Sequence, residues 1–377
     1  MIEHYPENQS RRTSQTAASI SRMSVAMEAY PPAFRGNVLN LLFLDDAHPI
    51  RCAPAYLRGL DSPNLCDVCR EYLMPEEEYA LWPFPVHSMT ERPDPWSLSE
   101  RLFDCFNTAA HLLPTQREVG RILHERAAKL QPDIIALMIV DGLSYYDLPD
   151  EADMQPCLVN GVSTTGFGYR EVIGKPTVSE RLFSLGYSHQ MGFTYFDVET
   201  NPLASELYGV FGSSQVKRVA TFKECLAHIS AERMSHGFIQ ITGPGLDALC
   251  HHHQDEPPVK HYISDIFKKF DALINCLSNS HRNVLACLTA DHGILWRHHL
   301  EGKWSVVNDL QVDDKRCVRH IRGSRIRDSI LVKSGFGGTF SMLRVPYITR
   351  KLRNNEWGVH GGISGWESIV PLIIRTT

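Results

Sequence analysis

The chain has 377 residues, 43% of them hydrophobic and 21% charged, with 25 Gly and 22 Pro. These proportions are those of an average soluble globular protein and exclude disordered, collagenous and coiled-coil chains, while the length allows one large domain or two. A formal charge of -5 excludes the strongly basic balance of a nucleic-acid coat protein. The 10 Cys are scattered, several of them inside apolar runs, which predicts reduced thiols in a cytoplasmic protein rather than a disulfide framework. No apolar run reaches the roughly 18 to 20 residues that span a bilayer, and the opening residues lack an apolar signal core, so no membrane association is expected.

Residues 1–25, rich in Ser, Thr, Gln and Arg without periodicity, read as a flexible arm. Residues 26–130 read as an accessory region of helical and irregular character. GNVLNLLFLDD at 36–46 has the apolar run of a strand, and a Pro-rich stretch follows it. Leu102, Phe103, Phe106, Leu112, Leu113, Val119, Ile122 and Leu123 then recur at helical spacing within 99–131. His48, Cys52 and the Cys66-x-x-Cys69 pair form a candidate structural zinc set of His/Cys₃ type, resting on a single CxxC.

From 131 to 377 the texture changes to short apolar runs bounded by Gly, Asp and Thr: DIIALMIVDG, GFIQITGPG, NVLACLTADHG and ESIVPLII. Runs of that length suit buried parallel strands, and the helical patterns between them suit crossovers. The expected fold is α/β, a doubly wound and mainly parallel sheet, preceded by the α/irregular N-terminal region.

Three of these strands are followed by residues of metal-ligand type: Asp141, Asp247, and the pair Asp291 and His292. Ligands in open α/β sheets gather beyond the carboxyl ends of the strands, so side chains from separate strands can converge there. Asp247 and His251 are spaced i, i+4, which on a helix turns both to one side. His360 lies in WGVHGGISGWES, beside two glycines that let backbone approach closely. Taken singly, a strand-end Asp is ordinarily a cap or turn residue, and the run His251 to His253 reads as a solvated face. The weight rests on four separated segments each delivering ligand types at strand ends.

VDG at 140–142, a Thr-containing segment, Asp247-x-x-x-His251, ADHG at 290–293 and the late HGG followed by a Glu and VPL occur in a definite order. In that order they resemble the alkaline phosphatase superfamily, including the nucleotide pyrophosphatase/phosphodiesterases. HGGISGWESIVPL is similar to the PglZ domains of bacterial phage-defence systems. The resemblance covers about 130–377. It implies a first metal held by Asp141, Asp291, His292 and the nucleophile oxygen, and a second held by Asp247, His251 and His360. Two Zn²⁺ per chain are implied, with Mn²⁺ a substitute, because Asp/His ligation does not separate the two.

Two Thr-containing segments compete for the nucleophile. Thr177 and Glu180 form a capping box ahead of an apolar helical run, which accounts for Thr177; Ser179 shares that segment. Thr164 and Thr165 precede a short helical pattern ending at Gly174. The superfamily places its nucleophilic Thr at the start of such a helix, which points to Thr165, then Thr164. Residues 311–353 hold eleven Lys or Arg against three Asp, a local surplus that suits an anionic substrate or a solvated surface equally. Arg170, Arg316 and Arg319 are the candidate substrate contacts.

The resemblance thus implies a two-metal phosphohydrolase, a phosphodiesterase acting on a nucleotide or nucleic-acid substrate among the protein partners of a defence system. A phosphomonoesterase or another enzyme of that superfamily, and a non-catalytic metal-binding interaction module of a defence complex, are the alternatives.

Overall fold

The helical periodicity of residues 99–131 breaks at Pro114, whose ring disfavours the α conformation in the residue before it; Leu113 is accordingly extended, with φ -104° and ψ 151°. Helix α1 (Pro95–Leu112) ends there. Glu118 Oε2 then accepts from the Thr115 N–H at 3.0 Å, leading into a 3₁₀ turn (Gln116–Glu118) and helix α2 (Val119–Leu130). The computed structural model describes residues 92–149, 154–211, 215–232, 234–280, 283–300, 303–307, 315–320 and 326–377, together with Leu39 and Leu42.

The chain divides into two units, Met1–Leu113 and Pro114–Thr377. In the first, Asp94 caps α1 by accepting from the Ser97 N–H at 2.9 Å, and Leu98, Leu102 and Phe106 are buried. Leu39 and Leu42 are buried and in 3₁₀ conformation, and Arg101 donates to the Leu42 carbonyl. The strand expected at 36–46 otherwise lies outside the described residues, as do the 1–25 arm and the His48, Cys52, Cys66, Cys69 set.

The second unit begins at Pro114 rather than at 131, where the change of texture had set it. The reason is packing: Val119, Leu123 and Ala127 of α2 belong to its core. Its first half runs β1 (Ile134–Asp141), β2 (Gln155–Leu158), α3 (Thr165–Ile173), α4 (Val178–Phe183), β3 (His189–Thr194), α5 (Pro202–Tyr208), β4 (Val216–Arg218) and α6 (Phe222–Ala231). There follow β5 (Gly237–Pro244), α7 (Asp247–His252), α8 (Val259–Ser280) and β6 (Val284–Ala290). Short strands β7 (Leu295–Trp296), β8 (Ser305–Val306), β9 (Cys317–Arg319), β10 (Ser329–Lys333), β11 (Thr339–Leu343), β12 (Tyr347–Ile348) and β13 (Gly358–Val359) precede α9 (Gly365–Ser368) and β14 (Ile369–Thr376).

The fold is mixed α/β on a seven-stranded sheet of order β2-β14-β6-β1-β5-β3-β4, in which β14 runs antiparallel to both its neighbours and β6, β1, β5, β3 and β4 are parallel. β1 lies at the centre, with Val140 in register with Gly243 of β5 on one side and Ala290 of β6 on the other. Ile134 to Val140 and Val284 to Ala290 are buried throughout, each large side chain contributing about 1.5–3 kcal/mol of hydrophobic stabilisation. Burial on both faces explains why these strands read as unbroken apolar runs. β3, β4 and β5 are laid down on one flank of β1, and the chain then crosses to β6, so the carboxyl ends of β5, β1 and β6 surround the crevice where strand order reverses. Among the described residues no helix is long and apolar enough to cross a membrane.

Candidate metal centre

Two groups of ligand-type side chains occupy that crevice. Asp141 ends β1, and Asp291 and His292 follow β6; the second group is Asp247 and His251 of α7 with His360 after β13, and within each group the ligand atoms lie within 4.8 Å of one another. The two groups are neighbours, because the rings of His292 and His360 stack with centroids 4.3 Å apart.

Close packing builds the first group. Gly142, at φ +75°, turns the chain after β1 so that its N–H donates to Asp291 Oδ1 at 2.9 Å. Gly168 of α3 is pressed on the Asp291 carbonyl, which a Cβ there would approach to 1.9 Å, so only glycine lets α3 seat against the strand end. Gln116 Nε2 donates to the Ala290 and Asp291 carbonyls at 2.8 and 2.7 Å and fixes the same turn.

Asp291 Oδ1 also accepts from the His292 N–H at 2.9 Å, whereas Oδ2 is buried with no hydrogen-bond partner. That orphan faces His292 Nε2 at 3.6 Å, which lies 3.6 Å from Asp141 Oδ1. His292 Nδ1 meets the Gly293 carbonyl at 3.1 Å and can only donate to it, which directs Nε2 at the carboxylates. An unpartnered buried carboxylate oxygen beside an oriented imidazole is what a divalent cation requires, and the donors fit one.

In the second group Asp247 Oδ1 lies 3.2 Å from Nε2 of His251 and 3.2 Å from Nε2 of His360. The two Nε2 atoms are 3.1 Å apart, so three ligand atoms face one point. His360 Nδ1 faces the Ser163 carbonyl at 3.3 Å, while Ser163 Oγ donates to the Gly362 carbonyl and accepts from the Gly361 N–H, at 2.9 and 3.1 Å. His251 Nδ1 instead faces the Lys315 ammonium at 3.4 Å. An ammonium only donates, so Nδ1 is the accepting nitrogen of His251 there, and Nε2 is the nitrogen turned to Asp247 and His360.

The electrostatics carry the same message. Complete burial drives the Asp291 proton affinity well up, and the charges of Asp141 and Asp247 add to it against His292. Burial would lower His292, but Asp291, Asp141 and Asp247 outweigh it and push the ring up to about 10. Burial would raise Asp247, yet hydrogen bonds from His251 and His360 hold it below the ordinary carboxylate range. Proton affinity is thus raised at Asp291 and His292, and a cation at the ligand groups would supply the same positive charge.

Thr165 is the first residue of α3, and its Oγ1 lies 3.3 Å from Asp141 Oδ1 and 3.2 Å from His292 Nε2. Thr164 is the N-cap of that helix and makes no side-chain capping bond. Thr177 Oγ1 accepts from the Glu180 N–H at 3.1 Å as a cap, and Ser179 is buried and bonded to Gln190, so neither joins the ligand groups.

The three arginines are not brought together at the ligands. Arg170 shares its donors between Glu206, reached by Nη2 at 2.9 Å, and the Gly166 carbonyl at 2.9 Å. Arg319 is exposed on β9, opposite Phe340 of β11. Arg316 requires a correction: its side chain is 0% exposed, pairs with Glu367 at 2.8 Å and donates to the carbonyls of Leu343, Arg344 and Tyr347. It anchors the HGGISGWES loop and has no donor to offer a substrate. The counted basic surplus shrinks in the same way. Lys315 and Arg350 bond Glu356, at 3.1 and 2.9 Å, and Arg316 bonds Glu367, both carboxylates lying beyond the window of 311–353, whereas the Asp328 that bonds Arg344 at 3.0 Å is one of the three Asp already counted.

Sequence reading missed Tyr195, whose hydroxyl donates to Asp141 Oδ2 at 2.5 Å. Burial first, then the Asp141 charge, raise its phenol far above the usual tyrosine value, so it stays a donor. Tyr195 directly follows β3, and the strand-end rule extended to that strand would have found it. Gln116 and Ser163 carry no signal, because their partners are 174 and 199 residues away.

No protein-family model and no curated protein sequence matches the chain. Among solved structures it is similar to murine ectonucleotide pyrophosphatase/phosphodiesterase 5, at 11% identity and TM-score 0.40, over 63% of this chain and 87% of that one. It is also similar to the C-terminal periplasmic domain of EptC from Escherichia coli, at 12% identity and TM-score 0.27, over 44% of this chain and 64% of that one. A third similarity is to the TAB5 alkaline phosphatase with Mg bound, at 8% identity and TM-score 0.33, over 65% of this chain and 91% of that one.

Proposed function

We propose that the protein is a metal-dependent phosphohydrolase, most simply a phosphodiesterase, in which Thr165 is the nucleophile. The observation that carries this reading is the position of Thr165 Oγ1, at the start of a helix and within 3.3 Å of both Asp141 and His292. Asp141, Asp291 and His292 would hold one divalent cation and Asp247, His251 and His360 a second, and two such ions supply positive charge to the oxygens of a phosphoryl group in displacement.

The residues do the rest. Thr165 Oγ1 gives its hydrogen to Asp141 Oδ1 and forms a bond to phosphorus as the bond to the leaving oxygen breaks; that oxygen takes a proton from a water molecule, and Asp141 returns its proton to the hydroxide left behind. Water then attacks the phosphothreonine, restores the hydroxyl and releases the monoester. The free N–H groups at the start of α3 favour the anionic oxygens. Tyr195 and the Gly293 carbonyl orient Asp141 and His292.

A nucleotide phosphate is the proposed substrate class, Zn²⁺ the proposed metal, with Mn²⁺ its substitute, and the cytoplasm the proposed site of action. The PglZ-like run HGGISGWESIVPL supports placing the protein in a bacterial defence system. The test is elemental analysis of wild type and an Asp291→Ala/His292→Ala variant, with hydrolysis of bis-p-nitrophenyl phosphate and p-nitrophenyl phosphate. About two metals per chain, lost in the variant together with diester cleavage, is the expected result. Monoester cleavage alone makes it a phosphatase, and metal-free, inert wild type leaves a non-catalytic module.

A further inference from the structure

Away from the ligand groups, three cationic side chains of the second unit surround one cleft. A cleft of about 330 Å³ lies between the end of α3 and the turn joining β10 to β11, lined by Arg117, Glu171, Lys175, Arg181, Gly335 and Phe336. Three of these side chains are cationic and one is anionic. Glu171 is already satisfied: one edge of the Arg117 guanidinium holds it, through Nε to Oε2 and through Nη2 to Oε1 at 2.9 Å. Lys175 and Arg181 have no carboxylate within ion-pair distance among the described residues. The Lys175 ammonium lies 5.0 Å over the Phe336 ring, and Arg181 Nε donates to the Pro176 carbonyl at 3.3 Å. Glu206 is bonded to Arg170, which is the main reason its carboxyl is held below the usual value, with the Lys175 charge the smallest contribution.

The cleft therefore carries a surplus of two positive charges. Its floor depends on the absence of a side chain at Gly335, where a Cβ would come within 2.0 Å of Arg117 Nη2 and 3.3 Å of Glu171 Oε1. Glu171 is six residues beyond Thr165 on the same helix, so the cleft lies on the order of 9 Å along the axis from the hydroxyl. An anion held there is not the one reacting at Thr165.

We propose that this cleft is a second anion site, taking a phosphate ester through Lys175, Arg181 and the outer edge of Arg117. Two guanidinium groups and an ammonium around one opening match the oxygens and double charge of a phosphate monoester better than a single carboxylate. The volume is at the small end of ligand sites, roughly 300–1,000 Å³, enough for a phosphate with part of its attached group. A free nucleotide and the end of a nucleic-acid strand present this same chemistry.

The site is tested on the full chain in chelator, where the ligand groups hold no metal. Inorganic phosphate, AMP and a 5′-phosphorylated single-stranded DNA dodecamer are titrated calorimetrically at low salt. We expect saturable binding that weakens with added salt, falls at least tenfold in Lys175→Met/Arg181→Met and is unchanged in Asp291→Ala/His292→Ala. Methionine keeps the apolar stem of Arg181 that packs on Gly120, and Gly335→Ala, which narrows the cleft without removing a charge, is the second variant. AMP equal to or tighter than the dodecamer identifies a free phosphate ester; a dodecamer tenfold tighter identifies a strand end. Absence of saturable binding by all three probes overturns the proposal, as does equal binding by wild type and both cleft variants, or loss of binding in Asp291→Ala/His292→Ala.

Discussion

Thr165 Oγ1 lies 3.2 Å from His292 Nε2, although 127 residues separate the two in the chain. The contact exists because α3 begins beside the end of β6, with Gly168 seated on the Asp291 carbonyl. Thr165→Ala should lower diester hydrolysis on the order of a thousandfold or more, as loss of a covalent nucleophile does, while metal content is kept. Thr164→Ala should cost less than about tenfold, since Thr164 makes no capping bond. Equal losses in the two variants would remove Thr165 from the nucleophile role.

Tyr195 acts on Asp141 rather than on a substrate. Groups that orient metal ligands typically change metal affinity about 10–100-fold when removed. Tyr195→Phe should therefore weaken metal binding by roughly that factor at the Asp141 group, measured by competition with a chromophoric chelator. The Asp247 group should keep its affinity. Two unaltered binding steps would show that the phenol only fills space.

How much of this was legible depended on where each residue's partners lie. Asp141, Asp247 and Asp291 could be read because each follows an apolar run of strand length, and the strand-end rule needs no knowledge of distant neighbours. His251 followed from i, i+4 spacing alone. Arg316 was misread as a substrate contact because Glu367 stands 51 residues later, outside any window over which charge is counted. Lys315 and Arg350 entered the basic surplus because their partner Glu356 lies past residue 353, where the count stopped. The end of α1 was the opposite case: Pro114 and Thr115 marked it locally, and the helical periodicity on both sides obscured it.

The buried pair Arg316 and Glu367 yields a prediction that separates its two readings. Removing one partner of a buried ion pair leaves an uncompensated charge and typically costs about 3–5 kcal/mol. Arg316→Met should lower the urea midpoint accordingly, and Arg316→Met/Glu367→Gln should lower it less than the two single changes added together. A substrate contact would behave differently, raising KM with little change in stability. An Arg316→Met variant within about 1 kcal/mol of wild type would return the residue to the substrate role.

Asp147 offers a stability signal away from the ligand groups. Its Oδ2 accepts from the Ser144 N–H at 3.0 Å and its Oδ1 from Trp296 Nε1 at 3.1 Å. Burial nevertheless dominates these bonds and pushes the carboxyl up to about 7. An acid whose folded value is raised binds its proton more tightly when folded. Its contribution is therefore greatest below the unfolded value near 4, declines as pH rises to about 7, and is constant above that. Allowing for residual solvent contact, the change is about 2–4 kcal/mol. Asp147→Asn removes this ionisation, so it should gain on wild type between pH 5 and pH 8 in paired urea titrations, with the other titrating groups cancelling in the difference. An identical difference at the two pH values would mean that Asp147 titrates as an ordinary exposed carboxyl.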